Sequence, residues 1–319
     1  MKPNVVVYNR IAEEQVKRIE EHCHVYQISK ESKEFMNYLS KAEGIIGAGL
    51  KVDKKLLDHA PNLRIVSNVS AGYDNLDIEE LTKRRIMAAN TPDVLTETTA
   101  DTIFGLLIAA ARRMPELDSY VKSGKWQTKI MEDQFGVDVH HKTLGIIGMG
   151  RIGKAVAERA HYGFKMNILY HNRSRNEAAE KELHARYTDE DELLKHSDFV
   201  CLLAPLTPET VGLIGKREFH LMKKESIFIN GGRGDLVIEE DLVQALKEKQ
   251  IRAAGLDVYK QEPLGDNHPL LHMKNVVTLP HIGSATKETR EKMAEAAVEN
   301  LLQGIGGKVP PCLINREVL

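Results

Sequence analysis

Apolar and polar positions alternate along this chain in a rhythm that switches repeatedly between strand and helix spacing. In the first hundred residues, short β-branched runs at 4–8, 44–48 and 63–69 are separated by charged, amphipathic segments at 11–22, 53–58 and 77–85. Short continuous apolar runs predict strands buried on both faces, and strands alternating with helices predict a parallel sheet. Asn90-Thr91-Pro92-Asp93 predicts a stop and then a helix start, because Pro restricts its predecessor and Asp can cap. A long apolar helix follows over 96–114, with Arg112, Arg113 and Pro115 at its end.

A second alternating series begins at Thr143 and runs TLGIIGMG, KAVAERAHYGF, KMNILYHN, DFVCLLAP, SIFINGG, AAGLDVY and NVVTLP. It predicts a six- or seven-stranded parallel sheet. A further helix is predicted over 287–304, then a polar tail. Two α/β domains with a boundary near 95–100 follow from the pattern alone, and no repeat of solenoid length interrupts them.

Composition narrows the function classes. The chain has 319 residues with 44 Lys and Arg against 46 Asp and Glu, a formal charge of −2. That balance argues against a nucleic-acid binder, which needs surplus cations to displace phosphate counterions. The longest apolar stretch, 103–111, is about half of what a membrane helix needs. The first residues hold only a brief apolar run before charges return, so no signal peptide is expected. Cys23, Cys201 and Cys312 lie far apart and odd in number, which points to a reducing, cytoplasmic setting rather than a disulfide scaffold.

The first candidate chemistry is the G-x-G-x-x-G of Gly148, Gly150 and Gly153, with Arg151 and Ile152 between, set between a predicted strand and a predicted helix. Gly148 allows a tight turn, Gly150 lets the backbone approach a pyrophosphate, and Gly153 lets helix pack on strand. The glycine pattern alone is weak; its strand–turn–helix context makes it a dinucleotide site. After the second strand the chain reads Tyr170-His171-Asn172-Arg173-Ser174-Arg175, without the carboxylate that usually holds the ribose hydroxyls of NAD. Arg173, Ser174 and Arg175 instead offer charge and donors to a 2′-phosphate, so NADP(H) is the expected cofactor and NAD(H) an alternative.

Three later segments each end a predicted strand on polar residues, where open α/β sheets build sites. Gly231 and Gly232 precede Arg233, whose guanidinium suits a carboxylate. Asp257 and Glu262 follow one strand; His281, Gly283 and Ser284 follow another. Reduction of a ketone builds negative charge on oxygen, so an acid must deliver a proton there. Histidine serves near neutral pH, and a neighbouring carboxylate favours the imidazolium and orients the ring.

With these residues in order, the chain resembles the D-isomer-specific 2-hydroxyacid dehydrogenases, especially their glyoxylate/hydroxypyruvate reductase and 2-ketogluconate reductase branch. The likeness spans nearly the whole chain: the VSAGYDNLD of 69–77, the helix of 98–113, the SGKW of 123–126, and Ala204-Pro205-Leu206-Thr207-Pro208-Glu209-Thr210. It implies a Rossmann-type cofactor domain over 100–287, inserted in a flavodoxin-like substrate domain of 1–99 and 288–319, each a doubly wound parallel sheet. It implies Arg233 as substrate binder, His281 as acid/base, Glu262 as its partner, and Asp257 on the nicotinamide carboxamide. It puts Asn172, Ala204, Pro205 and Thr210 beside the cofactor, with Gly231, Gly232, Gly283 and Ser284. It also gives Ser70, Ala71 and Gly72 to the substrate carboxylate, and a homodimer to which 113–141 contributes. Leu50 and Tyr73 are expected to line the substrate volume.

The activity so implied is NADPH-dependent reduction of a small 2-keto acid (glyoxylate, hydroxypyruvate or 2-ketogluconate) to the D-2-hydroxy acid. Alternatives are an NAD-dependent D-lactate or 3-phosphoglycerate dehydrogenase, and a dinucleotide-sensing corepressor. The corepressor reading expects disordered tails and the phosphoglycerate reading a regulatory tail; the sequence offers neither. His22-Cys23-His24 has no partner cluster with ligand spacing, so no metal is expected. His140-His141 reads as a solvated turn, and Trp126 as packing at a domain or subunit boundary.

Overall fold

The computed structural model describes residues 2–9 and 11–319. They form two units, one made of Met1–Leu95 with Ser284–Leu319 and the other of Thr96–Gly283.

The first unit is built on β1 (Asn4–Val7), β2 (His24–Gln27), β3 (Gly44–Gly47), β4 (Ile65–Asn68) and β5 (Met87–Ala89), in the order β2-β1-β3-β4-β5, all parallel. Alternate residues of its central strands feed two cores. Val6, Ile45 and Val66 face one, and Val5, Val7, Ile46 and Ile65 face the other. This explains why the strands read as unbroken apolar runs. The connecting helices are α1 (Glu13–His22), α2 (Phe35–Leu39), α3 (Lys54–Leu57) and α4 (Ile78–Lys83). Asp53 and Asp77 cap the last two, accepting the N–H of Leu56 at 3.0 Å and of Glu80 at 2.9 Å.

The second unit opens with α5 (Thr96–Ala111) and α6 (Met114–Lys122). One local expectation is corrected at this point of the chain. Pro115 does not merely end a helix: Arg113 turns into a left-handed conformation (φ 56°), and Pro115 sits in the first turn of α6. The sheet comprises β6 (Thr143–Ile147), β7 (Asn167–His171), β8 (Arg186–Tyr187), β9 (Phe199–Leu202), β10 (Ile227–Asn230), β11 (Ala253–Leu256) and β12 (Val276–Thr278). Its order is β12-β11-β10-β9-β6-β7-β8, all parallel. Strand order reverses between β6 and β9, the place where doubly wound sheets open a ligand crevice at their carboxyl edge. Between the strands run α7 (Arg151–Glu158), α8 (Glu177–Leu183), α9 (Glu190–His196), α10 (Lys216–Leu221) and α11 (Glu239–Lys247).

The last helix, α12 (Lys287–Ile305), belongs to the first unit: Ala297, Val298 and Leu301 share a core with Val5 and Ile65. The segment after it is not a loose polar tail. Ile314 N–H donates to Ala88 O at 2.7 Å, and the buried Asn315 side chain accepts from Ala88 N–H at 2.8 Å and donates to Ile86 O at 2.9 Å.

Candidate active site

At the carboxyl edge of the second sheet, β6 runs into the glycine turn and then α7. Gly148 has φ +104°, and a Cβ there would strike the backbone of Leu203 and Ala204 after β9; a Cβ on Gly153 would strike Gly148 O. Only glycine fits either position. A Cβ on Gly150, by contrast, would meet no atom within 4 Å, so the turn leaves open space on that side. The first N–H groups of α7, at Arg151 and Ile152, lie at a positive helix end. An open glycine cradle before such an end fits a pyrophosphate.

Two asparagines pin this turn to the loop after β7. Asn172 Oδ1 accepts Met149 N–H at 2.7 Å, and Met149 O accepts from Asn172 Nδ2 at 3.3 Å and Asn176 Nδ2 at 3.0 Å. Asn176 also caps α8 through Ala179 N–H at 3.0 Å. Arg173, Ser174 and Arg175 are exposed within that loop. Thr210 closes the Ala204–Thr210 loop on itself: its hydroxyl donates to Pro205 O at 2.8 Å and accepts Thr207 N–H at 2.8 Å.

Further along the edge, the segments after β10, β11 and β12 are tied together. Asn230 is buried; its side chain accepts Gly232 N–H at 3.1 Å and donates to Arg233 O at 2.9 Å, which sets the Gly231–Arg233 turn. A Cβ on Gly234 would overlap the Tyr259–Lys260 peptide, so the Arg233 turn lies directly on the β11 loop. From that loop Glu262 Oε1 accepts Tyr259 N–H at 3.0 Å, while Oε2 bonds His281 Nδ1 at 2.7 Å. Burial raises the Glu262 pKa, but the His281 bond, the Tyr259 N–H and the charges of His281 and Arg233 outweigh it, and its carboxyl sits below the ordinary range.

His281 itself adopts φ 53°, an uncommon backbone for a residue with a Cβ. Asp257 holds it there. Its two oxygens accept Ile282 N–H at 2.8 Å and Gly283 N–H at 2.9 Å. Burial pushes the Asp257 carboxyl up, and those two amides pull it partly back. Tyr259 spans the same two loops, its hydroxyl donating to Leu279 O at 2.9 Å. An ionised Glu262 can only accept, so His281 Nδ1 carries the proton. Nε2 is left to exchange one. Arg233, Glu262 and His281 thus occupy one edge of one unit, with a carboxylate-bonded imidazole that is about half exposed (47 %).

In the first unit, the segment after β4 forms a second ordered turn. Ser70 O accepts Thr91 N–H at 2.9 Å, Ala71 O accepts Asn90 Nδ2 at 2.7 Å, and Gly72 O accepts Asn68 Nδ2 at 2.9 Å. In a trans peptide the next N–H points opposite to the carbonyl, so with the carbonyls turned inward the Ala71 and Gly72 N–H groups point outward. Tyr73 beside them is exposed. Leu50, expected to line the substrate volume, has its side chain buried in the core of this unit.

The family model "D-isomer specific 2-hydroxyacid dehydrogenase, NAD binding domain" matches residues 104–283. The chain belongs to the D-isomer specific 2-hydroxyacid dehydrogenase family. Within it, the chain is 49 % identical over 322 aligned residues to glyoxylate/hydroxypyruvate reductase B of Escherichia coli O6:K15:H31, covering 100 % of this chain and 99 % of that protein. A solved NADPH-dependent glyoxylate/hydroxypyruvate reductase from Sinorhizobium meliloti, in complex with NADP and malonate, superposes with TM-score 0.90 at 30 % identity, covering 100 % and 98 % of the two chains. A Thermus thermophilus protein superposes with TM-score 0.88 at 39 % identity over 98 % and 99 %. The dehydrogenase fold and a nicotinamide dinucleotide as cofactor follow from the family.

The residues predicted from sequence fall at four places, with Leu50 apart in the core of the first unit: the glycine turn and the loop after β7, the Ala204–Thr210 loop after β9, the Arg233–Glu262–His281 edge, and the Ser70–Gly72 turn of the other unit. Ser284 is the first residue of the returning segment of the first unit. Asn176, Asn230, Tyr259 and Gly234 supply much of the geometry without having been assigned roles. Among the described residues no group of three or more His, Cys, Asp or Glu is arranged to hold a metal ion, and no helix is long and apolar enough to cross a membrane.

Proposed function

We propose that this dehydrogenase reduces glyoxylate and hydroxypyruvate to the D-2-hydroxy acids, with NADPH preferred over NADH. The observation that carries the reading is the His281–Glu262 pair beside Arg233, on the same sheet edge as the glycine turn. A bound reduced nicotinamide would supply the hydride. Arg233 offers a guanidinium to the substrate carboxylate and polarises the adjacent carbonyl. His281 Nε2 gives its proton to the carbonyl oxygen as negative charge grows there, and Glu262 stabilises the ring while it is charged. In the reverse direction the same nitrogen takes the hydroxyl proton. Asp257 keeps the His281 turn in place, and its buried carboxylate faces the carboxamide in the family's assignment. The outward Ala71 and Gly72 N–H groups of the first unit are assigned to a carboxylate. Arg173 and Ser174 are assigned to the 2′-phosphate.

A homodimer is part of the proposal. Met114, Val121, Trp126, Ile130, Met131 and Phe135 are all exposed apolar side chains within one stretch, a density that a monomer rarely leaves in water. A cytoplasmic setting is supported by three cysteines that form no disulfide. The test is initial-rate kinetics with glyoxylate, hydroxypyruvate and 2-ketogluconate against NADPH and NADH. The proposal expects kcat/KM to be highest for the two smaller acids with NADPH. Faster turnover of D-lactate or 3-phosphoglycerate with NAD would overturn it.

A further inference from the structure

The ribose loop carries two guanidiniums, and the structure treats them differently. Arg173 is exposed and forms no hydrogen bond or ion pair among the described residues. Its charge reaches Glu209 on the Ala204–Thr210 loop, a carboxyl held below the ordinary range chiefly by the Thr207 hydroxyl and to a lesser degree by Arg173. Arg175 is engaged at both arms. Its Nε donates to Glu180 Oε1 at 2.9 Å and its Nη2 to Glu180 Oε2 at 2.6 Å, while its Cζ lies 5.9 Å from the centre of the Tyr187 ring. Glu180 in turn is anchored from below. The Tyr170 hydroxyl donates to Glu180 Oε1 at 2.5 Å, Tyr170 is fully buried, and its oxygen accepts Asn176 N–H at 2.7 Å.

We propose that Glu180 limits this enzyme's discrimination for 2′-phosphorylated nucleotides: it occupies Arg175, leaving Arg173 as the guanidinium of this loop that meets the phosphate. The inference rests on the reading that the loop faces the adenosine ribose. A 2′-phosphate carries a charge of about −1.5 to −2 and seeks planar donors. To take the Nε–Nη2 edge of Arg175 it would have to break a two-armed, charge-assisted pair, and the Nη1 edge left over comes with the Glu180 charge beside it. Turning Arg175 away does not remove Glu180, because Tyr170 holds the carboxylate where it is. The phosphate would then stand beside a fixed like charge. The Arg175–Glu180 pair therefore offers the phosphate no net charge, and Arg173 supplies the attraction. A nucleotide without the phosphate is indifferent to all of this, so NADH remains usable.

The test is the ratio of affinities for 2′,5′-ADP and 5′-AMP, measured by calorimetry on the full chain. Wild type should bind 2′,5′-ADP more tightly. Glu180→Gln keeps the shape and an acceptor for Tyr170 but removes the charge. It should raise the ratio about fivefold or more through tighter 2′,5′-ADP binding, with 5′-AMP unchanged. The double variant Arg175→Ala with Glu180→Gln removes both charges of a neutral pair and should leave the ratio within about twofold, and Arg173→Ala should bring it close to one. A Glu180→Gln ratio that is unchanged or lower overturns the inference, as does a large fall with the Arg175→Ala, Glu180→Gln double variant. Failure of wild type to discriminate at all would instead sink the reading of the loop.

Discussion

Two glutamates of the second unit each hold a basic side chain, and the consequences are opposite. Glu262 engages His281 at Nδ1, and because imidazole has a second nitrogen on its far edge, the bond orients a reactive atom rather than consuming it. Glu180 engages Arg175 at Nε and Nη2, a two-armed geometry that takes one edge of the guanidinium and neutralises its charge. Each carboxylate is braced by a further donor, Tyr259 N–H for Glu262 and Tyr170 O–H for Glu180. The same contact, a braced glutamate on a basic side chain, orients a ring nitrogen in one place and withdraws charge in the other.

Breaking the reactive side should cost most at its anchor. Arg233→Ala is expected to lower kcat/KM for glyoxylate by about 10²- to 10³-fold, about 3–4 kcal/mol, with Arg233→Lys recovering only part because it keeps charge without the fork. Steady-state kinetics of the two variants check this.

Glu262→Gln should lower kcat by about 10- to 100-fold, since the imidazolium loses its counter-charge. The sign of the pH effect follows from Glu262's lowered pKa. A carboxylate held below the usual range stays ionised at neutral pH, and the pair is lost only as pH falls through that depressed value. The variant's loss should therefore persist from about pH 6 to about pH 9 in a pH–rate profile, rather than appear as the removal of an acid limb alone.

On the withdrawn side the effects are smaller. Arg173→Ala should reduce the NADPH over NADH preference by about tenfold, about 1.4 kcal/mol, with kcat nearly unchanged at saturating cofactor. Asn172→Ala should weaken both cofactors alike by about threefold to tenfold, because Asn172 pins the glycine turn rather than reading the ribose. Unequal weakening would show that the comparison draws the line in the wrong place.

Much of this was legible in the sequence because it is written locally. The β-branched runs of β1, β3, β4, β6, β7 and β9 announce buried parallel strands, and the glycine pattern with its flanks announces the cradle. What escaped has physical reasons. The edge strand β2 (HVYQ) is too polar to show a run, and β5 and β8 are too short to carry a pattern. Pro115 reads as a helix stop, yet Pro is equally at home in a first turn, so α6 was missed. The polar look of the last segment concealed Asn315, whose partners lie more than two hundred residues away. The core packing of Leu50 needed coordinates, since no local pattern shows which side of its turn it faces. The bracing by Asn230, Tyr170 and Asn176 depends on hydrogen bonds to atoms that no spacing rule brings together. The engagement of Arg175 lay five residues downstream, inside a helix that reads as an ordinary solvated face.

Proton delivery by His281 is the step on which the functional account turns. Its direct test is the single-turnover rate of glyoxylate reduction by His281→Ala saturated with NADPH, alongside the NADPH dissociation constant. The account predicts a rate about 10³-fold below wild type with cofactor affinity changed less than about twofold; a rate close to wild type at full NADPH occupancy would contradict it.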